Sequence, residues 1–265
     1  MAVWRLLKPK VCDAYTNMAV DEAIMKARIE NKVPNTLRFY KWKPSAVSVG
    51  RFQKVEEQIH IENCEKHSVD IVRRISGGGA VYHDQDGEIT YSIVTKLSDL
   101  GCADLDMVCA YQKICSGLNE AVKILGVQAE YRPPDPKRCP NLVISGKKIS
   151  GNAQTSKKGI LLQHGTFLLD IDHEKMFTFL KVPWAKTLNE VLYVSKRKLT
   201  SARQELGTDF SIDEAYNALV KGFTKALDVT FIEGKLIEYE QKSAERIRKE
   251  RFMTEEWKFL GKSSS

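Results

Sequence analysis

Three stretches of this sequence put charged or hydrogen-bonding side chains where glycine lets a ligand come close. The first is Arg73-Arg-Ile-Ser-Gly-Gly-Gly-Ala-Val-Tyr-His-Asp84. Successive glycines permit positive φ and close backbone approach, so their N–H groups can converge on an anion or carboxylate. Arg73 and Arg74 stand beside them, and a guanidinium holds phosphate by a two-pronged hydrogen bond. On spacing alone, a glycine hairpin with surface arginines uses the same letters. The run is neither a Walker loop, since no Gly-Lys-Ser/Thr follows, nor a Rossmann fingerprint, since it leads into a strand. The second stretch, Gly146-Lys-Lys-Ile-Ser-Gly-Asn-Ala-Gln-Thr155, sets Lys147 and Lys148 between glycines. There an ammonium in a pocket floor can face a developing negative charge, although a surface turn reads the same way. The third, Leu162-Gln-His-Gly-Thr-Phe167, carries Gln163 and His164 inside an apolar strand, as a ligand wall or as a hydrogen-bonded core histidine.

The elements that must position these residues follow from periodicity. Asn17 to Ile29 has Val20, Ala23, Ile24 and Ala27 at helix spacing, with Thr16 or Asn17 as the N-cap. Thr36–Tyr40 and Ala46–Gly50 read as strands around a Lys43-Pro44-Ser45 turn, as a hairpin or as neighbours. Val69–Arg73 is another strand, and the glycine loop joins it to extended structure at Ala80–Tyr82 and Ile89–Val94. Ala110–Leu125 is a helix stopped by Gly126, and Arg132 to Pro140 is too rich in proline for helix or ladder. Asn141–Ile144 and Gly159–Asp170 are extended, with Gly146–Gly151 a turn between them. Ser211 opens a capping box before a helix ending near Leu227, and Lys235–Phe252 forms a second helix. Strands dominate the middle and helices the flanks, so the fold class is α+β with a mixed sheet.

The chain has 265 residues, 43% hydrophobic and 28% charged, enough to bury a core without disulfide staples. It lacks a window of about 20 apolar residues and a signal-peptide pattern, so a cytoplasmic protein with no membrane partner is expected. Six cysteines are scattered without a CxxC pair, which indicates reduced core thiols rather than a metal site or a disulfide framework. The net charge of +7 suits an acidic partner. No nucleic-acid-binding signature accompanies it, and the densest basic run, Lys242–Arg251, is interleaved with acids as on a solvated helix face.

Taken together, the three stretches resemble the lipoate protein ligase family, whose superfamily also holds biotin protein ligases and octanoyltransferases. Arg73 to Asp84 looks like the family signature, and Lys147-Lys148-Ile-Ser-Gly-Asn-Ala and Gln163-His164-Gly follow in the family's order. Asn17–Glu22, Leu37–Tyr40 and Val49–Gln53 match as well, so the resemblance covers nearly the whole chain. It implies a catalytic domain over residues 1–265, with a largely antiparallel mixed sheet flanked by helices, akin to class II aminoacyl-tRNA synthetases. It also implies substrate contacts at Arg74, Ser76, Gly78, Gly79, Ala80, Val81, His83 and His164. Lys148 matches the catalytic lysine that contacts the acyl carbonyl and α-phosphate. Nucleotide contacts are implied at Gly87, Glu88, Lys148, Ser150, Gly151 and Ala153, and no residue is assigned to a metal. Two departures stand out: His83-Asp-Gln-Asp-Gly-Glu88 is one residue longer than the usual His-Asp-x-Gly-Asn, and Arg138-Cys-Pro-Asn141 replaces the ligases' Asn-Asp.

The activity implied is ATP-dependent: lipoate attacks the α-phosphorus of Mg²⁺-bound ATP, and the lipoyl-adenylate acylates a lysine of a lipoyl carrier domain. The acceptors would be the E2 subunits of 2-oxoacid dehydrogenases and the glycine cleavage H protein. No C-terminal accessory domain follows Trp257, so the resemblance is to the large subunit of the archaeal two-part ligases, whose accessory subunit is a separate small protein. The acceptor amine has a reference pKa near 10.4, so only roughly one in 2,500 is neutral at pH 7 without help, and a desolvated channel must supply that help. The alternatives are octanoyl transfer from acyl carrier protein through a Cys139 thioester, biotin ligation, and a catalytically silent homologue that binds acyl groups or nucleotide.

Overall fold

The structure, a computed structural model, describes residues 1–133, 141–207 and 210–262. It opens with β1 (Ala2–Cys12), a strand absent from the sequence-based expectations. Trp4, Arg5, Leu6 and Leu7 are all buried because β1 lies inside the sheet, and that removes the alternation by which a strand is recognised. Helix α1 (Ala14–Ile29) starts three residues earlier than expected. Its N-cap is Asp13, whose Oδ1 accepts from the Thr16 amide at 2.6 Å, not Thr16 or Asn17.

There follow β2 (Thr36–Trp42), β3 (Ala46–Val49), the short helices α2 (Val55–Gln58) and α3 (Ile61–Lys66), β4 (Asp70–Arg73), β5 (Val81–His83) and β6 (Glu88–Lys96). Helix α4 (Met107–Ile124) leads to β7 (Glu130–Arg132), β8 (Asn141–Ile144), β9 (Lys147–Lys157) and β10 (Ile160–Leu168). The chain closes with α5 (His173–Phe179), α6 (Leu188–Lys198), α7 (Ala202–Leu206), α8 (Ile212–Leu227), β11 (Val229–Glu233) and α9 (Glu238–Ile247). The capping box at Ser211 forms as expected. The turn expected over Gly146–Gly151 is confined to Ser145 and Gly146, and Lys147 onward is strand.

Among the described residues the strands form two sheets. The larger runs β11-β1-β2-β6-β10-β9-β8-β7, parallel at β11-β1 and β1-β2 and antiparallel elsewhere. The smaller is β4-β3-β5. Thus β2 and β3 are not a hairpin: the chain leaves one sheet and enters the other across Lys43-Pro44. One face of the large sheet packs on α4 and α8 through Leu37, Phe39, Tyr91 and Phe223. The other packs on α1 and α9 through Ile24, Tyr40, Leu162 and Ile247. A third cluster, with Val47, Ile59 and Phe179, ties the small sheet to α2, α3 and α5. Cys102 and Cys109 are joined in a disulfide, their Cα atoms 5.8 Å apart, which corrects the expectation of reduced thiols there. Cys139 and its neighbours lie outside the described residues. No helix among the described residues is long and apolar enough to cross a membrane.

Buried polar residues lock α1 to the large sheet. Asp21, 1% exposed, accepts from Arg38 at 2.6 Å and Ser92 at 2.7 Å on one oxygen, and from Tyr40 at 3.0 Å on the other. Arg38 also donates to the Asn17 side chain and main chain. Burial opposes the charge on Asp21, but Arg38, His164 and Ser92 outweigh it and hold the carboxyl below its usual range. Asp21→Asn leaves Arg38 buried without its counter-ion and is expected to lose about 3–5 kcal/mol at pH 7 in urea denaturation. The folded carboxyl is depressed, so its contribution is complete above the unfolded value of about 3.9 and is lost as pH falls through the folded one. The variant should therefore show a flatter acid limb of stability against pH.

Candidate active site

The glycine loop bridges the two sheets, and its arginines act differently from the expectation. Arg73, 2% exposed, donates to the carbonyls of Gly50, Arg51 and Gln53 and to those of Trp257, Lys258 and Phe259. It anchors the C-terminal segment to the base of the loop. Arg74 donates through Nη1 to the carbonyl and hydroxyl of Ser48, and through Nη2 to the carbonyls of Gly77 and Gly79, at 2.7–2.9 Å. Its fork is therefore engaged by the loop that it shapes and does not offer itself to a phosphate. Gly78 has φ +90°, and Gly50 must lack a side chain, because a Cβ there would stand 2.0 Å from the Gly78 carbonyl oxygen.

Beneath the loop, against the large sheet, lies a slot with apolar walls from Met18, Tyr40, Trp42, Ala80 and Val81. Lys148 lines it and also a second cavity that opens toward Met176 and Leu180 on the outside. A bulge aims this lysine. In the β8–β9 ladder Leu142 faces Ser150 while Val143 faces Lys148, so Ile149 is an extra residue on β9. Side chains alternate along a strand, and without the bulge Lys148 would share a face with Asn152, whose side chain accepts from Tyr91 on the α4–α8 side. With it, Lys148 joins Gly151 and Ala153 on the slot side. Gly151 leaves the space that Lys148 uses: a Cβ there would come 3.0 Å from Nζ.

Two serine–histidine–carboxylate chains flank the slot. On the sheet side, Ser76 Oγ is 2.6 Å from His164 Nε2, and His164 Nδ1 is 3.3 Å from Asp21. Burial pushes His164 below its ordinary value despite Asp21, so it is neutral near pH 7. On the loop side, Ser48 Oγ is 2.7 Å from His83 Nε2, and His83 Nδ1 is 2.8 Å from Glu88 Oε1. Trp42 stacks on the His83 ring at 4.0 Å and donates to Thr90, which donates to Glu88.

The structure thus brings Arg74, Gly78, Gly79, Ala80, Val81, His83, Lys148, Gly151, Ala153 and His164 to one slot. Ser76 stands behind it, reaching it through His164. The nucleotide set is only partly assembled. Gly87 closes the β5–β6 turn, its carbonyl accepting from Leu169 and Asp170. Glu88 is buried and turned to His83 and Thr90. Ser150 is fully buried and is not among the slot-lining residues. None of these three lines the slot, and the buried Ser150 hydroxyl has no hydrogen-bond partner among the described residues. Ser48, Trp42, Thr90 and Asp21 were not singled out from sequence. The available signal was alternation, since Arg38, Tyr40 and Trp42 share one face of β2 opposite the purely apolar Leu37 and Phe39.

A mixed sheet carrying a lysine at an apolar slot beneath a glycine loop defines a catalytic domain that handles acyl groups. The family model described as the lipoyl protein ligase A/B catalytic domain matches residues 13–224. Octanoyltransferase LipM of Geobacillus kaustophilus is 34% identical over 275 residues, covering 97% of this chain and 98% of that protein. Among solved structures, a bipartite lipoate protein ligase studied with its E2 lipoyl domain from Thermoplasma acidophilum superimposes with a TM-score of 0.85 at 28% identity, over 100% of this chain and 99% of that one. A lipoate-protein ligase A bound with ATP gives 0.84 at 28% identity, over 98% and 99%. This chain therefore belongs to the lipoyl protein ligase A/B catalytic domain family and is an enzyme of its ligase and transferase class.

Gly50→Ala must push the Gly78 carbonyl out of place and is expected to cost about 1–3 kcal/mol in thermal denaturation. Gly77→Ala, with open space around its Cβ, should stay within about 0.5 kcal/mol of wild type.

Proposed function

We propose that this enzyme transfers an octanoyl group from acyl carrier protein to the ε-amino group of a lysine on a lipoyl domain, such as that of an E2 subunit or a glycine cleavage H protein. The observation that carries the reading is the slot: its walls are built largely from Met18, Tyr40, Trp42, Ala80 and Val81, which suits a hydrocarbon tail. The 34% identity to an octanoyltransferase over nearly the whole chain favours the thioester donor over ATP-activated lipoate. Lys148 supplies positive charge beside the carbonyl, where negative charge grows in the tetrahedral intermediate.

The transferase route needs a thiolate. Cys64 and Cys115 are buried, and burial pushes their thiols up to about 11 and about 12, which makes them inert. Neither they nor Cys12 line the slot. Cys139, outside the described residues, is the proposed nucleophile. Its sulfur would take the octanoyl group as the carrier thiol leaves, and the lysine amine would then displace it.

A second reading, lipoate ligation with Mg²⁺ and ATP, is favoured by the ATP-bound ligase relative and by the cavity beyond Lys148. There Lys148 and Gly151 would face the nucleotide, and a separate small accessory subunit would complete the enzyme.

Mass spectrometry of a lipoyl domain separates the readings. Octanoyl-acyl carrier protein without ATP should add an octanoyl mass, lost in Cys139→Ser. Lys148→Ala should slow transfer about 10²- to 10³-fold with unchanged circular dichroism. A mass increment that requires lipoate and ATP would install the ligase reading, and none from either donor would leave a binding homologue.

A further inference from the structure

The acceptor lysine is almost wholly protonated at neutral pH, so the transfer step needs a group to take its proton. The two histidine chains differ in a way that identifies it. Asp21, behind His164, is already committed to Arg38, Ser92 and Tyr40, so its charge is balanced by a guanidinium. Glu88, behind His83, has no guanidinium in hydrogen-bond contact among the described residues. One oxygen takes His83 and Thr90, and the other is buried with no hydrogen-bond partner among the described residues.

A carboxylate only accepts, so Nδ1 of His83 carries the hydrogen and Nε2 is the basic nitrogen. Ser48 Oγ already receives Arg74 Nη1 at 2.7 Å, so its own hydrogen points to that Nε2. Ser48 and His83 both line the slot with Lys148. The Glu88 carboxylate lies on one edge of the His83 ring, and the Trp42 ring stacks on its face. The other charged or titratable groups around it are Arg74, His164 and Lys148, with Tyr40 beyond Glu88.

We propose that Ser48, His83 and Glu88 form the proton-accepting relay for lysine acylation, with Ser48 meeting the amine, His83 storing the proton, and Glu88 as a positioning residue that fixes the tautomer. The inference rests on the reading of the enzyme as acylating a lysine. The lysine ammonium gives one proton to Ser48 Oγ while the serine's own proton passes to His83 Nε2. The neutral nitrogen then bonds to the acyl carbon as the carbon–sulfur bond of the thioester breaks. The sulfur leaves with the electron pair and takes the second nitrogen proton, and His83 returns the first to solvent.

The test compares two nucleophiles in the full chain loaded from octanoyl-acyl carrier protein: a lipoyl domain, and hydroxylamine, whose amine is already unprotonated at neutral pH. His83→Gln should slow transfer to the lipoyl domain about 100-fold or more at pH 7, with a loss toward hydroxylamine at least tenfold smaller. Ser48→Ala should show the same selective loss. Glu88→Gln, which no longer selects the Nδ1-H tautomer, should slow transfer to the lipoyl domain at least tenfold while the loss toward hydroxylamine stays several-fold smaller. Equal losses toward both nucleophiles in His83→Gln or in Glu88→Gln would overturn the relay and leave these residues with a structural role. Wild-type enzyme that acylates hydroxylamine but never the lipoyl domain would instead overturn the reading beneath it, and the relay with it.

Discussion

The buried carboxylate of Asp21 is the interaction on which the site depends. It joins α1 to β2 through Arg38, to β6 through Ser92 and to β10 through His164, which in turn holds Ser76 at the head of the glycine loop. A charge this deep is tolerated because a guanidinium and several donors surround it. The slot exists because the loop is held at a set height above the sheet, and Asp21 and Arg74 set that height from opposite sides. The two arginines beside the glycine loop thus grip the protein. Arg74 satisfies the Gly77 and Gly79 carbonyls of the glycine loop, while Arg73 satisfies those of the segment after β3 and of the C-terminal segment.

Charge in the slot is arranged unevenly. His164 is kept neutral by burial, its carboxylate partner being taken by Arg38. His83 faces a carboxylate that no guanidinium among the described residues contacts by hydrogen bond. Lys148 adds a positive centre at the mouth. One side of the slot therefore carries a lysine and the other a histidine backed by a carboxylate.

Much of this was legible in the residues themselves. The glycine loop, the Lys147–Lys148 pair and the Gln163-His164 strand carried the family resemblance, and the α+β class followed from periodicity in β2, β4, β6, β10, α4 and α8. Strand β1 was hidden because both its faces are covered, which erases alternation. The Asp13 cap was displaced by nearer candidates. The disulfide joins cysteines in no recognised spacing, and its two Cα atoms meet only because the chain turns before α4.

What the sequence determined by itself was local: which segments are helix or strand, where the chain needs glycine, and which side chains are able to do chemistry. What only the tertiary structure decided was the direction in which those side chains point. Lys148 faces the slot because one extra residue on β9, defined only by pairing with β8, reverses the alternation. Glu88 serves His83 because the β5–β6 turn folds it inward, and Ser48 joins them because β3 pairs with β5. These relations hold between strands far apart in the chain or depend on the pairing of one strand with another, and spacing along a single strand carries no information about its partner's register.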